Sequence, residues 1–131
     1  MSKKIIRHIK SAGKYDSCRN FFKELKILTI PSLYVYCLLC YTKQNYENFT
    51  SNNQIHNHDT RNKTNLRTVS HRTTLFSKGA RYTAATLYNK LPTSLKSSKS
   101  MGCFKMSLKQ MLLRDSFYSV DEFMEACNCK N

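Results

Sequence analysis

Glycine is scarce in this sequence of 131 residues, which contains only Gly13, Gly79 and Gly102. A loop that cradles phosphate needs several closely spaced glycines, and the nucleophile turn of α/β-hydrolases needs two glycines around a serine. Neither pattern occurs. The sequence therefore offers no P-loop and no α/β-hydrolase nucleophile. Its length allows one modest domain, or the end of a larger protein.

Acidic residues are also few: eight Asp and Glu stand against 22 Lys and Arg, giving a formal net charge of +14. No acidic residue occurs between positions 60 and 114. The basic residues of that stretch are Arg61, Lys63, Arg67, Arg72, Lys78, Arg81, Lys90, Lys96, Lys99, Lys105, Lys109 and Arg114. This distribution predicts a polyanionic partner, with RNA or DNA as the first candidate. The alternative is a solvated surface, in a composition rich in Lys and Asn, that has no ligand.

The sequence lacks an apolar run long enough to cross a bilayer. The longest such run, residues 27–41, is interrupted by Pro31 and is shorter than the ~20 residues that a membrane span needs. The first residues are basic but carry no apolar segment of the kind found in signal peptides. We therefore expect an intracellular protein, in the nucleus or cytoplasm, that is not secreted and has no membrane partner. Its six cysteines are then expected to be reduced.

Hydrophobic periodicity predicts a mostly α fold, in which several short amphipathic helices are joined by a long polar connection that is partly disordered. We divide the chain into a helical segment (residues 1–43), a polar basic connection (44–79) and a C-terminal helical segment (80–131). The first predicted helix begins near Ser17 and carries Phe21, Phe22, Leu25 and Leu28. Pro31 then suits the first turn of a second helix that reaches Lys43. Its expected buried stripe is Leu33, Tyr34, Cys37, Leu38 and Tyr41.

In the connection, residues 44–70 are rich in Asn, Thr and Ser, and residues 73–76 are predicted to be extended. Two helices are expected beyond it. The first, over residues 80–91, should bury Tyr82, Ala85, Tyr88 and Leu91, and Pro92 ends it. The second, over residues 100–114, should bury Phe104, Leu108, Met111 and Leu112. Ser119 and Glu122 have the spacing of a capping box before a last helix over residues 120–126.

Histidine and cysteine offer one candidate metal site. Cys37 and Cys40 have the CxxC spacing, with His56 and His58 downstream. Zinc ligands commonly lie in polar turns, whereas these thiols fall in an apolar run and are expected to lie together on one buried helix face. A metal nuclease built on His56, His58 and Asp59 would lack a second acidic ligand nearby. We expect no metal, no cofactor and no catalytic residue. The two alternatives are a small basic nucleic-acid-binding module, with or without zinc, and a metal nuclease.

Phosphate contacts are expected from the basic connection and the start of the helix that follows it. The candidate residues are Arg61, Lys63, Arg67, Arg72 and Arg81. Such contacts add affinity without reading sequence. Phe76, Tyr82 and Tyr88 are candidate stacking surfaces for bases, although aromatic residues at helical spacing more often belong to a core.

A series of motifs in this chain resembles a known family. The motifs are KKIIRHI (residues 3–9), CRNFFKELKILTIPSLYVYCLL (18–39), HDTRNKTNL (58–66), LYNKLPTSLK (87–96), FKMSLKQMLL (104–113) and FYSVDEF (117–123). In this order they resemble the C-terminal region of the reverse transcriptase, an RNA-directed DNA polymerase, of jockey-like and LINE-like non-LTR retrotransposons of the insect type. The resemblance covers nearly the whole chain.

This resemblance implies a fragment of a larger polymerase, whose first segment follows the polymerase thumb. A polymerase palm binds two metal ions with aspartates, and no such pair of acids between apolar strands occurs in this sequence. The family's endonuclease domain is absent as well. We therefore expect no enzymatic activity and no small-molecule substrate. The expected partners are RNA or DNA, bound non-specifically, and the remainder of the reverse transcriptase. Whether the fragment is a relic of a transposable element or a domesticated gene stays open.

Overall fold

The computed structural model describes residues 2–55, 64–68, 70, 72–77 and 79–128. The helices are α1 (Ser2–Ile9), α2 (Arg19–Glu24), α3 (Ile30–Gln44), α4 (Thr74–Ser77), α5 (Ala80–Lys90), α6 (Thr93–Lys96), α7 (Met101–Asp115) and α8 (Val120–Asn128). Short 3-10 turns occupy Tyr46–Asn48 and Asn52–Gln54. Over the described ranges there is no strand, only an isolated bridge between Ser51 and Leu66. The prediction of a mostly α fold is confirmed. The division into three segments and the status of a fragment stay predictions.

Helix α3 begins at a buried polar cap. The Thr29 hydroxyl accepts a hydrogen bond from the Ser32 backbone N–H at 3.2 Å, which satisfies one of the donors left free at a helix start. Pro31 occupies the first turn, where its missing N–H costs nothing. The same Thr29 hydroxyl donates to the Phe117 carbonyl. The cap therefore also ties the start of α3 to the segment between α7 and α8.

The predicted buried face of α3 is wrong. Leu33, Tyr34 and Tyr41 are exposed by 50%, 42% and 56%. The buried residues are instead Ser32, Val35, Leu39, Cys40 and Thr42. Residues 30–41 are apolar on nearly every side, so periodicity could not select a face. Packing against α5 and α7 selects it. The polar Thr42 is accommodated because its hydroxyl donates to the Leu38 carbonyl at 2.8 Å.

The C-terminal helices follow the sequence prediction closely. On α7, Phe104, Leu108 and Leu112 are fully buried, as predicted. Helix α5 buries Ala84, Ala85, Leu87 and Tyr88, and Leu91 follows it into the core, whereas Tyr82 is only half-buried. These residues form one core with α3 and α8. No helix in the described part of the chain is long and apolar enough to span a membrane.

Two lysines stabilise the turn after α5. The Lys96 ammonium donates to the Asn89 carbonyl at 2.7 Å, and the Lys43 ammonium donates to the Lys96 carbonyl at 2.7 Å. A cation at the C-terminal end of a helix also complements the helix dipole. Burial lowers the pKa of Lys96. Lys96, one of the two lysines in the motif LYNKLPTSLK, therefore has a structural role in this turn.

The predicted capping box of α8 forms, but one of its two hydrogen bonds has a different donor. The Ser119 hydroxyl accepts the Glu122 N–H at 3.1 Å, as predicted. The Glu122 carboxylate, however, accepts the N–H of Tyr118 at 2.8 Å rather than that of Ser119, and it also pairs with Arg19. This pairing joins α2 to the start of α8. Beside it a small second cluster contains Ile6, Cys18 and Phe22, with Tyr118 packed against it. Ile6 lies on α1, a helix that was not predicted from the sequence.

The polar connection is built into the core at two points. Phe49 and Leu66 are 6% and 1% exposed and belong to the main hydrophobic cluster. Residues 73–76, predicted to be extended, contain the start of the helical turn α4 instead. A lone extended segment needs a partner strand for its backbone groups, whereas a helical turn satisfies them locally. The extended prediction is therefore wrong.

The side chain of Asn89 holds the connection against α5. Its Oδ1 accepts the Leu66 N–H at 2.7 Å, and its Nδ2 donates to the Leu66 carbonyl at 2.8 Å. The carboxamide thus replaces the strand partner that this peptide lacks. Because Leu66 is almost completely buried, both of its backbone groups would be costly to leave unpaired.

The buried face of α3 can be tested by paired truncations. We expect Leu39→Ala to lower the free energy of unfolding by about 2–5 kcal/mol, because it opens a cavity in the core. Leu33→Ala, on the exposed face of the same helix, should change it by less than about 0.5 kcal/mol. Urea denaturation followed by circular dichroism measures both values. If Leu33→Ala were the more destabilising of the two variants, the buried face of α3 would be the one predicted from the sequence.

The Asn89 contact can be tested by a change of one side-chain group. Asn89→Asp replaces the donor to the Leu66 carbonyl with an oxygen, so we expect the free energy of unfolding to fall by about 1–3 kcal/mol. Asn20→Asp is the matched control, because Asn20 is exposed in the first turn of α2, where a carboxylate is favourable. Equal urea midpoints for the two variants would contradict the proposed contact.

The Glu122 contacts predict a pH dependence of stability. Hydrogen bonding from the Tyr118 N–H, followed by the Arg19 guanidinium, lowers the pKa of Glu122. A lowered folded-state pKa contributes stability that is present above the unfolded pKa and is lost as pH falls through the folded value. We expect Glu122→Gln to be less stable than the native chain at pH 7, by about 0.2–1 kcal/mol for a partly exposed pair, and the difference to shrink below about pH 4. The exposed Glu125→Gln serves as control; a difference for Glu122→Gln that is constant with pH would refute the charge contribution.

Candidate nucleic-acid interface

Three of the five predicted phosphate-binding residues lie in the described part of the chain. Arg67, Arg72 and Arg81 are all exposed. Arg67 and Arg81 line the same cavity, whereas Arg72 is not among its lining residues. Arg61 and Lys63 lie outside the described residues. The structure therefore brings two predicted arginines, 14 positions apart in the sequence, to one surface.

Hydrogen bonds fix the backbone position of Arg67. Its backbone N–H donates to the Thr50 carbonyl at 2.8 Å, and the Asn52 N–H donates to the Asn65 carbonyl at 3.0 Å. Between these two bonds, the Leu66 side chain is buried in the core. The backbone on both sides of Leu66 is therefore paired, and the exposed Arg67 side chain begins from a backbone that is held in place.

Arg81 lies in the first turn of α5 and has a structural contact of its own. Its Nη2 donates to the Asn48 carbonyl at 2.6 Å, and its guanidinium lies over the Phe49 ring, 5.3 Å from the ring centroid. A guanidinium has five N–H donors, so one bond to Asn48 leaves others for a ligand. Arg81 thus fastens the connection to α5 and still presents positive charge at the surface.

The cavity beside these arginines has a volume of about 590 Å³. Its apolar and aromatic lining comes from Phe49, Leu75, Tyr82 and Ala85, and Arg67 and Arg81 are the charged residues among the described lining. The remaining lining residues are Thr50, Thr68, Thr73 and Gly79. A second cavity of about 570 Å³ shares Phe49 and Arg81 with the first, and its described lining contains no other charged residue.

Of the two candidate stacking residues whose side chains are described, one lies in the core and the other lines the cavity. Tyr88 belongs to the core: it is 5% exposed, its ring centroid lies 5.7 Å from that of Tyr46, and burial together with Tyr46 raises its pKa to about 12. The predicted burial of Tyr88 is therefore confirmed, and the less favoured interpretation of Tyr88 as a stacking surface is wrong. Tyr82 is half-buried and lines the cavity. The side chain of Phe76 lies outside what the structure describes.

The charge of the cavity arginines is not compensated by ion pairing within the described residues. The ion pairs found there are Lys10–Glu24, Arg19–Glu122 and Arg114–Asp115. None of them includes Arg67 or Arg81. This agrees with the absence of acidic residues from positions 60 to 114. Both cations therefore remain available to a negatively charged ligand.

Only some of the candidate metal ligands lie in the described part of the chain. Cys40 is buried whereas Cys37 is exposed, so the prediction that both thiols are buried on one helix face is wrong. Cys18, Cys37, Cys40 and Cys103 are free thiols. His56, His58 and Asp59 lie outside the described residues. Within the residues that the structure describes, no group of three His, Cys, Asp or Glu side chains could hold a metal ion.

Several residues of this surface were not selected from the sequence. Phe49 and Thr50 precede the basic stretch, and Asn89 lies within a helix that carries no phosphate candidate beyond Arg81. One feature of the sequence could have indicated Phe49: like Leu66, it is an isolated apolar residue in a polar segment. Such isolated residues are candidates for anchoring points, because burial of a phenyl or leucyl group stabilises an otherwise polar loop.

Comparison with known proteins adds no identification. No protein-family model matches this chain, and no curated protein or solved structure matches it either. The resemblance to non-LTR reverse transcriptases therefore stays a prediction that depends on the sequence motifs alone.

Proposed function

We propose that this chain is a non-catalytic module that binds RNA or DNA through its phosphates, without sequence preference. The observation that carries the proposal is the convergence of Arg67 and Arg81 on one cavity, in a part of the sequence that contains no acidic residue. Arg72, exposed nearby in sequence, and the undescribed Arg61 and Lys63 complete the proposed set of contacts.

The physical basis is the release of counterions from the nucleic acid. Each lysine or arginine that neutralises a phosphate frees condensed cations, so the binding constant falls steeply as salt concentration rises. Guanidinium groups suit this role because they donate two parallel hydrogen bonds to a phosphate. Contacts of this kind hold the backbone and do not distinguish bases.

The motif series supports a parent protein for this module. We place the chain in the C-terminal region of a non-LTR retrotransposon reverse transcriptase, where it would add affinity for the template or target strand. Polymerisation and endonuclease cleavage would then belong to other parts of that protein. A small basic nucleic-acid-binding module unrelated to polymerisation and a metal nuclease stay as alternatives. The zinc-assisted form of the module and the nuclease both depend on His56 and His58, and no observation favours either.

Salt dependence and charge removal test the proposal together. We expect binding of the purified chain to a fluorescent 20-nucleotide strand, measured by anisotropy, to weaken steeply with salt. The double variant Arg67→Gln, Arg72→Gln should bind more weakly and reduce the slope of log K against log salt by about 1–2, since each phosphate contact contributes about 0.7 for single strands. Single-stranded RNA and DNA are measured side by side.

A variant of equal charge is the control for this experiment. Lys4→Gln, Lys23→Gln removes two exposed cations from α1 and α2 and should change the slope by less than the arginine pair does. Absence of any salt-sensitive binding by the native chain would refute the proposed function. Equal losses in the two double variants would refute the position of the interface.

A further inference from the structure

The cavity next to Arg67 and Arg81 has features that phosphate binding alone does not use. A contact with the backbone of a nucleic acid needs only exposed cations. Here the cations stand beside a concave surface whose lining includes the half-buried Tyr82 ring and the almost fully buried Phe49 and Ala85, so Tyr82 is the ring available for stacking. Its volume of about 590 Å³ lies within the ~300–1,000 Å³ that is usual for small-molecule sites.

The chemistry of the lining specifies the kind of group that fits. Aromatic and aliphatic walls favour a flat, weakly polar ring, because every such ring has a π-face that can stack. Two guanidinium groups favour negative charge attached to that ring by a short link. The threonines Thr50, Thr68 and Thr73 add hydroxyl groups to the same lining, which can donate or accept hydrogen bonds. A nucleobase with its flanking phosphates combines all these properties.

The aromatic part of the cavity is held in place by its own contacts. The Phe49 ring meets the Tyr41 ring edge-on, with centroids 6.5 Å apart, and Arg81 lies over it. Arg81 is in turn bonded to the Asn48 carbonyl. Tyr82 follows Arg81 on the rigid helix α5. A site that is already ordered loses less conformational entropy when a ligand binds.

We propose that this cavity accepts one unstacked base of a single-stranded RNA or DNA, with Arg67 and Arg81 on the adjacent phosphates. The inference depends on the proposed function and deepens it, since it names single strands as the preferred ligand. A duplex keeps its bases stacked and paired, so it can reach the arginines but cannot fill the cavity. The second cavity is less suited, because it lacks Arg67 and Tyr82.

Strands with and without bases provide the direct test. The probes are 12-nucleotide single strands of DNA and of RNA, an abasic strand with the same number of phosphates, and a hairpin duplex with the same number of phosphates. At one fixed salt concentration we expect the base-containing strands to bind about 5- to 100-fold more tightly than the abasic strand, which is the range for stacking of a base on an aromatic side chain. The duplex should resemble the abasic strand.

The outcomes separate the inference from the proposed function. Equal, salt-sensitive binding of all probes would overturn the base site and leave phosphate binding intact. Absence of salt-sensitive binding to every probe would overturn both. A preference for RNA over DNA, or the reverse, would identify which strand supplies the base, and either result supports the site if the abasic strand is weaker.

Two variants test the cavity itself. Gly79 lines it with φ −61° and ψ 137°, a backbone conformation that any residue adopts, so Gly79→Phe adds a ring at the cavity lining without backbone strain. We expect this variant to bind base-containing strands only as tightly as the abasic strand, whose own affinity should change by less than about twofold. Retention of the full preference for bases would refute the site.

A milder variant covers the case in which Gly79→Phe disturbs folding. Tyr82→Leu keeps an apolar side chain but removes the ring, and it should weaken binding of base-containing strands by about fivefold or more while leaving the abasic strand unchanged. Tyr34→Leu is the matched control, because Tyr34 is an exposed tyrosine on α3 and does not line this cavity. Circular dichroism confirms that each variant is folded. Equal effects of the two tyrosine variants would overturn the proposal.

Discussion

The pairing of the Asn89 carboxamide with the Leu66 peptide is the interaction on which the position of the basic connection depends. A carboxamide carries one donor and one acceptor side by side, which match the C=O and N–H of a single residue. Asn89 uses both on Leu66. Leu66 can therefore be buried without a neighbouring strand. Its side chain enters the core, and the next residue, Arg67, emerges from a defined position.

The cavity follows from that arrangement. Four stretches of chain meet there: the segment containing Phe49 and Thr50, the segment containing Arg67 and Thr68, the start of α5, and the segment containing Thr73 and Leu75. Arg81 connects the first to the third through its bond to Asn48 and its position over Phe49. The same side chain thus shapes the cavity and supplies part of its charge. The proposed binding role and the structural role of Arg81 are therefore not exclusive.

A net charge of +14 opposes compaction, because like charges repel one another in the folded state. The apolar core beneath the basic surface offsets this repulsion. It joins α3, α5, α7 and α8 through fully buried residues such as Leu39, Phe104 and Phe123. Some cations are also engaged with helix-end carbonyls: Lys96 contacts the carbonyl of Asn89, and Lys43 that of Lys96. The basic composition is thus divided between contacts within the fold and charge that faces outward.

The sequence by itself determined the helical class, the approximate boundaries of α3, α5, α7 and α8, and the buried face of α7. These features depend on local chemistry: Pro31 and Pro92 mark boundaries, and the spacing of Phe104, Leu108 and Leu112 produces one apolar side. The sequence also selected Arg67 and Arg81 through their charge. It did not show that these two arginines share a cavity, and it included Tyr88 as a stacking candidate, although that residue is in the core.

Only the tertiary structure decided the buried face of α3, the anchoring of Leu66 and the cavity. Helix α3 is apolar on several sides, so its partners α5 and α7 determine which side is covered. The contacts involved join residues that are distant in the sequence: Asn89 is 23 positions from Leu66, and Thr29 is 88 positions from Phe117. Periodicity reports the pattern within one element and carries no information about which other element packs against it. For that physical reason, the sequence could indicate which residue types form the site but not that four separate segments meet there.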